Sequence, residues 1–436
     1  MKKLLFIFLT VTSFSTFALD NSSSKTDAKI QAALDQTRTQ YGASAMQVSV
    51  SLPGEYASRN FVSGTTKLNG KNKLTTDNLF QIGSITKSFV SAIILQLEAK
   101  GELSIDDPID KYIDFSKHPT WPAEWQNVTI KQLLNMTSGI YNYTEDKTVM
   151  ASVFQNPNEH FTATQLVDVA AKHPDDFKPG TSWNYSNTDY VLAGMIIKNV
   201  TGKSVTQVMN EKLLGSTHLN LLNTYYQGAH DYSPNVLRHA VDTYFTYEGT
   251  NPDVAPRDIS SSSLSWANSA GCMLSNTSDI VRWVRALFSG QVLKPQQLNE
   301  MESLVCTNEM GTPNCVMGQP IQPTIGVFGY GLGIAEFAAK VRGSYIPVWM
   351  YEGHTLGQTF IYYFIPSDNT VISVNCDFTN KNLDYDPVNK LATKIFMILN
   401  ESNALKNYHE AHGMPAIDAS QLQTSLNFPQ ENGFKI

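Results

Sequence analysis

The chain has 436 residues, 42% of them hydrophobic, and no low-complexity tract, so its composition is that of a globular protein with room for one large domain or two to three smaller ones. Its 32 basic and 39 acidic side chains give a formal net charge of −7, which argues against a nucleic-acid-binding protein. Beyond the first residues, no segment approaches the length needed to cross a membrane.

Met1-Lys2-Lys3, the apolar run Leu4 to Leu9 and the small residues ending at Ala18 read as a secretory signal peptide over residues 1–18. Its removal would take the charge from 32 − 39 = −7 to 30 − 39 = −9 and leave a periplasmic or secreted protein without a membrane span. Ser22-Ser23-Ser24-Lys25 reads as a polar linker. Ile30, Ala33, Leu34, Thr37 and Tyr41 share one helical face, predicting a helix over 27–42. Met46, Val48, Val50 and Leu52 alternate with smaller or more polar residues, predicting a half-buried strand that ends at Pro53-Gly54. Residues from about 85 to 300 carry mostly helical patterns, including Ile130 to Leu134. Strand signals return at Val327 to Phe337, Val348 to Pro366 and Val371 to Phe378, and a last helix presents Val388, Leu391, Ile395, Ile398 and Leu399 on one face. Gly329, Gly331 and Gly333 lack the helix and acidic partner of a nucleotide loop and read as glycines of a strand.

This order predicts an α+β, two-lobe architecture. An antiparallel sheet built from both chain ends (about 27–84 and 301–404) is flanked by helices, and a mostly helical lobe (about 85–300) fills the middle. Residues 19–404 then form one catalytic domain, and the polar residues 405–436 form a surface tail.

The chemistry concentrates in three places. In Gln81-Ile82-Gly83-Ser84-Ile85-Thr86-Lys87, a serine precedes a lysine by three residues at the start of a strongly apolar helix. The two side chains lie on one helical face, where an amine can take the proton of a hydroxyl nucleophile. Chance alone yields a Ser-x-x-Lys about once or twice in a chain of this size, so the apolar helix after Ser84 is what separates it from Ser22-to-Lys25. Second, Lys178-Pro179-Gly180 turns the chain into Trp183-Asn184-Tyr185-Ser186-Asn187, delivering a phenol and an amide just before another apolar helix. Beside Lys87, the Tyr185 phenol can relay protons. Third, Glu352-Gly353-His354-Thr355-Leu356-Gly357 lies among the late strands, where His354 and Thr355 offer donors to a substrate anion or carbonyl.

Together these groups resemble the serine β-lactamase and D-Ala-D-Ala peptidase superfamily, with its Ser-x-x-Lys, Tyr-x-Asn and Lys/His-Thr-Gly motifs. Tyrosine in the second motif points to the branch of class C β-lactamases, serine D,D-carboxypeptidases, D-amino-acid peptidases and esterases. The resemblance runs from about residue 30 to 400 and includes Leu133-Leu134-Asn135-Met136-Thr137-Ser138-Gly139 and Ser269-Ala270-Gly271-Cys272. It implies that Ser84 is the acylated nucleophile, Lys87 its activator and Tyr185 the proton relay. Asn187 would bind a substrate amide, His354 and Thr355 a carboxylate or carbonyl, and the N–H groups of Ser84 and Gly357 an oxyanion. No metal or organic cofactor is implied. Two residues depart from the pattern: Leu356 stands where the third motif has glycine, and Cys272 replaces the second glycine of Ser-Ala-Gly-Gly.

The four cysteines match no zinc spacing, and Cys306 and Cys315 flank a Gly311- and Pro313-containing loop that a disulfide would close in an oxidising compartment. Cys272 and Cys376 read as buried small hydrophobes. The expected function is an exported serine hydrolase acting through an acyl-enzyme on a small-molecule or peptide substrate, foremost a D,D-carboxypeptidase or D-amino-acid peptidase of peptidoglycan-type peptides. An esterase or class C-like β-lactamase on the same site is the alternative. A non-catalytic receptor for cell-wall fragments, to which Leu356 lends support, is the alternative of a different class.

Overall fold

The computed structural model describes residues 21–55, 57–228, 236, 239–245, 257–260, 262–307, 315–321, 328–341, 344–377 and 387–414. The expected signal peptide, Val327, Phe378 and residues 415–436 of the expected tail lie outside them. Among the described residues, no helix is long and apolar enough to cross a membrane.

Both chain ends build one eight-stranded sheet. Its strands are β1 (Ala45–Ser51), β2 (Arg59–Gly64), β3 (Val305–Cys306), β4 (Gly329–Tyr330), β5 (Ala335–Val341), β6 (Ser344–His354), β7 (Gln358–Ile365) and β8 (Thr370–Asp377). They lie in the order β2-β1-β8-β7-β6-β5-β4-β3, every pair antiparallel. The long strand signal from Val348 to Pro366 is thus two strands, broken at Thr355 to Gly357, where Gly357 takes a φ of 92° that favours glycine.

Helices α1 (Asn21–Tyr41) and α5 (Pro387–Asn400) cover one face, where the Tyr363 hydroxyl donates to Asn389 Oδ1 at 2.8 Å. The other face packs on α4 (Thr277–Phe288), whose Phe288 ring meets Trp349 and Phe364. Two further helices of the middle lobe hold the site: α2 (Thr86–Glu98) and α3 (Asn187–Thr201).

Covering both faces corrects the expectation for β1, all of whose residues are buried. Its polar set faces α4 in a hydrogen-bonded layer. Gln47 Nε2 donates to Thr75 O and Asn78 O at 2.8 and 3.0 Å, and Ser49 Oγ meets Thr277 Oγ1 at 2.7 Å. Two boundaries also move. Helix α1 begins at Asn21, so the Ser22-to-Lys25 stretch is helical and not a linker. A further helix, α6 (Asn403–Ala411), crosses the 404/405 boundary where the tail was expected to start. Ser402 caps it, Leu405 and His409 are buried, and His409 Nε2 meets Asp368 Oδ2 at 3.0 Å.

Cys306 and Cys315 form a disulfide, and Cys272 and Cys376 are buried thiols outside it. Gly329 does lie in a strand, but Gly331 and Gly333 form the turn that follows it, with Gly331 N donating to Ile334 O at 2.8 Å.

At the end of β8, the fully buried Asp377 accepts Ala45 N at 2.6 Å and contacts Ser44 Oγ. Burial pushes its carboxyl up from 3.8 to about 8. The native state then binds a proton that the unfolded chain releases above about 4, so this stabilisation is complete in acid and is lost as pH rises towards 8. Asp377→Asn, which cannot ionise, is expected to flatten the fall in urea midpoint between pH 5 and 8. An unchanged slope would refute this assignment.

Candidate active site

Ser84 follows the short strand Phe80–Gln81 in a 3-10 turn, Gly83–Ile85, that leads into α2. This strand pairs with Met273–Ser275, and Ile82 N donates to Met273 O at 2.9 Å, so the turn is anchored from behind. From the front it is pressed against β6. A Cβ at Gly353 would stand 1.9 Å from Ile82 O and 2.8 Å from Ser84 N, and one at Gly83 would stand 2.6 Å from His354 O. Only glycines permit this approach between strand and turn.

Lys87, in the first turn of α2 and three residues after Ser84, is completely buried. Its Nζ donates to Ser84 Oγ at 3.0 Å, Asn187 Oδ1 at 2.8 Å and the Ala270 carbonyl at 2.8 Å, and lies 4.8 Å from the Tyr185 ring centroid. Burial holds the amine well below its ordinary 10.5, against the opposing pull of Asp189. Asp189 is equally buried; burial pushes its carboxyl well above the usual range, against a 2.7 Å hydrogen bond from Ser138 Oγ. The Tyr185 hydroxyl donates to Ser84 Oγ at 2.6 Å. Ser84 Oγ therefore lies between the amine and the phenol.

The second motif is delivered by backbone zipping. Gly180 N donates to Thr137 O at 2.8 Å and Asp176 N to Gly139 O at 2.8 Å, while a Cβ at Gly139 would stand 2.0 Å from Phe177 O. The Thr137-Ser138-Gly139 segment thereby fixes the loop that carries Tyr185. Asn187 opens α3, its N–H bonded to Asn142 Oδ1 at 3.1 Å and its amide donating to Thr144 Oγ1 at 3.1 Å.

Ser84, Lys87, Tyr185 and Asn187 thus meet in one place. The third motif is arranged differently. His354 reaches the Gly83–Ser84 turn with its backbone. Alternation along β6 puts its side chain on the face away from Gly353, where Nε2 meets Glu352 at 2.9 Å. Thr355 N donates to Gln358 O at 2.9 Å, closing the β6–β7 hairpin, and Gly357 lies in its turn beyond the segment that touches Ser84. The glycine pressed on the nucleophile is Gly353, three residues before the position where the motif's glycine was sought. Leu356 is buried in a small apolar cluster with Val153, Ile259, Trp266 and Ala267. Cys272 has an unstrained φ of −90°, and burial pushes its thiol up to about 12, so it is an inert filler.

Asn142, Thr144 and the Ala270 carbonyl were not foreseen as parts of the site. The signals at hand were the segments around them, Thr137 to Gly139 and Ser269 to Gly271. Tyr351 and Tyr330, buried with their hydroxyls in contact, carried no local signal. Among the described residues, no group of His, Cys, Asp and Glu side chains is placed to hold a metal ion.

A family model described as Beta-lactamase matches residues 30–395, well over half of the chain. Penicillin-binding protein 4* of Bacillus subtilis (strain 168) is 28% identical over 258 residues, covering 55% of this chain and 54% of that protein. The chain spans about half the length of the curated relatives it matches. Among solved structures, a D-stereospecific amidohydrolase from Streptomyces sp. aligns with TM-score 0.66 and 28% identity, covering 82% of this chain and 96% of that one. The D-amino acid amidase from Ochrobactrum anthropi SV3 aligns with TM-score 0.70 over 88% and 99% of the two chains; at 24% identity it speaks for the fold alone. Motifs, sheet topology and family model agree: the chain belongs to the beta-lactamase family, within the serine β-lactamase and D-Ala-D-Ala peptidase superfamily.

Proposed function

We propose that the chain is an exported serine hydrolase that works through an acyl-enzyme on Ser84, with D-amino-acid peptides and amides, including peptidoglycan-type D,D-peptides, as substrates. The observation that carries this reading is the placement of Ser84 Oγ within hydrogen-bonding distance of both Lys87 Nζ and the Tyr185 hydroxyl. Export rests on the leader pattern of residues 1–18. The 28% identity to a D-stereospecific amidohydrolase supports the D-configured donor.

In this reading Lys87 Nζ takes the Ser84 proton as Oγ bonds to the substrate carbonyl carbon. The carbonyl electrons move to oxygen, which the N–H groups of Ser84 and His354 receive. His354 takes the role first given to Gly357 because its backbone N and O lie against Gly83 in the turn. As the tetrahedral centre collapses, the bond to the leaving group breaks and Tyr185 supplies the leaving group's proton. Lys87 then gives the proton it took from Ser84 to Tyr185, its neighbour at the same oxygen. Water then attacks the acyl carbon, gives a proton to this pair, and Ser84 leaves with its own proton restored. Asn187 is assigned to the substrate amide.

Intact mass after incubation with a fluorophosphonate and, separately, a fluorescent penicillin tests this. The expected result is a single adduct, with either probe, that Ser84→Ala does not form. Folded parent protein that gains no mass with either would overturn the reading. Because burial lowers the Lys87 amine, labelling is expected to rise with pH and level off well below 10.5. A rise that continues to that value would refute the role given to Lys87. Relative rates on a D-Ala-D-Ala peptide, a D-amino-acid amide, a short ester and a cephalosporin then separate peptidase and amidase from esterase and β-lactamase.

A further inference from the structure

The rings of Tyr185 and Tyr190 lie 4.8 and 5.5 Å from Lys87 Nζ, further buried tyrosines lie behind them, and the mechanism above uses only Tyr185. Tyr351 is the one placed by the third motif. If Gly353 is the motif's glycine, as its packing on Ser84 requires, Tyr351 stands where the resemblance expects lysine or histidine. Tyr351 shares a face of β6 with Gly353, the face turned to Ser84, and it is completely buried. Its hydroxyl touches that of Tyr330 on β4, with ring centroids 5.9 Å apart. Tyr330 packs on Trp183, two residues before Tyr185, with ring centroids 5.7 Å apart.

Tyr190, on α3, is bonded elsewhere: its ring lies 5.5 Å from Lys87 Nζ. Its hydroxyl donates to the Leu134 carbonyl at 2.8 Å and meets Ser91 Oγ at 3.0 Å. A carbonyl only accepts, so the single Tyr190 proton is committed to Leu134. The Tyr351–Tyr330 pair is thus a separate contact, and Tyr185 is the strongest electrostatic neighbour of Tyr351.

We propose that Tyr351 is a positioning residue for Tyr185: a neutral phenol, held by its hydroxyl contact with Tyr330, in the place from which a cation of the third motif would act. The inference rests on the acyl-enzyme reading and specifies how its protons are divided. With an uncharged residue at position 351, no positive charge from that face of β6 supports a phenolate on Tyr185. Lys87 is left as the base for Ser84, and Tyr185 as the proton donor. The other groups facing this centre are Tyr190 and Asp189 from α3, Tyr143, and Tyr330 from β4. Burial pushes Tyr330 and Tyr351 well above 10, so both remain neutral.

Three variants test the proposal: Tyr351→Phe, Tyr330→Phe and Tyr351→Lys, with circular dichroism to check folding. The readouts are kcat, KM and the pH profile of kcat/KM on the best substrate, and fluorophosphonate labelling across pH. Tyr351→Phe is expected to lower kcat about tenfold with KM held within about threefold, because it changes proton handling and not substrate contact. Tyr351→Lys places a cation on the β6 face turned to Ser84 and is expected to move the ascending limb of kcat/KM about one unit to lower pH. Rates and profiles like the parent's in Tyr351→Phe and Tyr330→Phe would make Tyr351 a packing residue and overturn the proposal, as would an unmoved limb in folded Tyr351→Lys. If Tyr351→Phe does not fold, Tyr330→Phe breaks the same hydroxyl contact from its other side and decides the matter. Failure of the parent to label at Ser84 would instead remove the acyl-enzyme reading, so the two failures are distinguishable.

Discussion

Ser84→Ala is expected to lower turnover of the best substrate by at least about 10⁴-fold, with the fold intact. The change deletes one oxygen from a half-buried position, and its neighbours keep most of their partners. Lys87 still donates to Asn187 Oδ1 and Ala270 O at 2.8 Å each. Tyr185 loses its acceptor at 2.6 Å, a loss of about 1 kcal/mol that water entering the vacated space offsets in part. The thermal midpoint should therefore move by only a few degrees, while the covalent step disappears. Steady-state rates with the variant purified separately, so that traces of parent do not supply the residual rate, provide the check. Activity within tenfold of the parent would mean that Ser84 is not the nucleophile. The fold alone would then favour the binding-protein reading.

How much of this was readable beforehand depends on how far apart the cooperating residues lie in sequence. Ser84 and Lys87 are one helical turn apart, and Tyr185 and Asn187 straddle the start of α3, so local pattern located both pairs. The sheet was legible because the late strands are long and run in sequence. The third motif was not, because its decisive feature is an approach between two backbones. Gly353 and Gly357 look alike in the sequence, and only the distance from a Cβ to Ile82 O separates them. Tyr330 and Tyr351 meet across β5, which no local spacing encodes. The strands Phe80–Gln81, Tyr225–Tyr226 and Met273–Ser275, which steady the nucleophile turn, are too short to show periodicity. Burial misled in the opposite sense at β1, whose alternating polar residues suggested a solvent face and instead meet Thr75, Asn78 and Thr277. At α6 the capping serine, Ser402, was a readable start signal that the polar composition of the tail outweighed.

Gly353→Ala follows from the same approach and carries the second large effect. The added Cβ would lie 1.9 Å from Ile82 O and 2.8 Å from Ser84 N, both backbone atoms that cannot rotate away. Neither side can yield cheaply. Gly353 is held in register opposite Phe360 on β7, and Ile82 is tied to Met273 at 2.9 Å. Relief requires the turn and strand to separate by about 1 Å or more, which displaces Ser84 relative to Lys87, Tyr185 and the His354 N–H. A misplacement of that size costs on the order of 10²-fold in rate, and the overpacking about 1–3 kcal/mol of stability. Gly357→Ala supplies the contrast. Its φ of 92° makes alanine strained there, so it costs stability of about 1–2 kcal/mol, but the residue sits in the hairpin turn and not against Ser84. Fluorophosphonate labelling should therefore collapse in Gly353→Ala and persist in Gly357→Ala, measured at a temperature where both are folded. The reverse order would return the third motif to His354–Gly357 and, with it, the oxyanion role to Gly357. It would also remove the reason for placing Tyr351 beside the catalytic phenol.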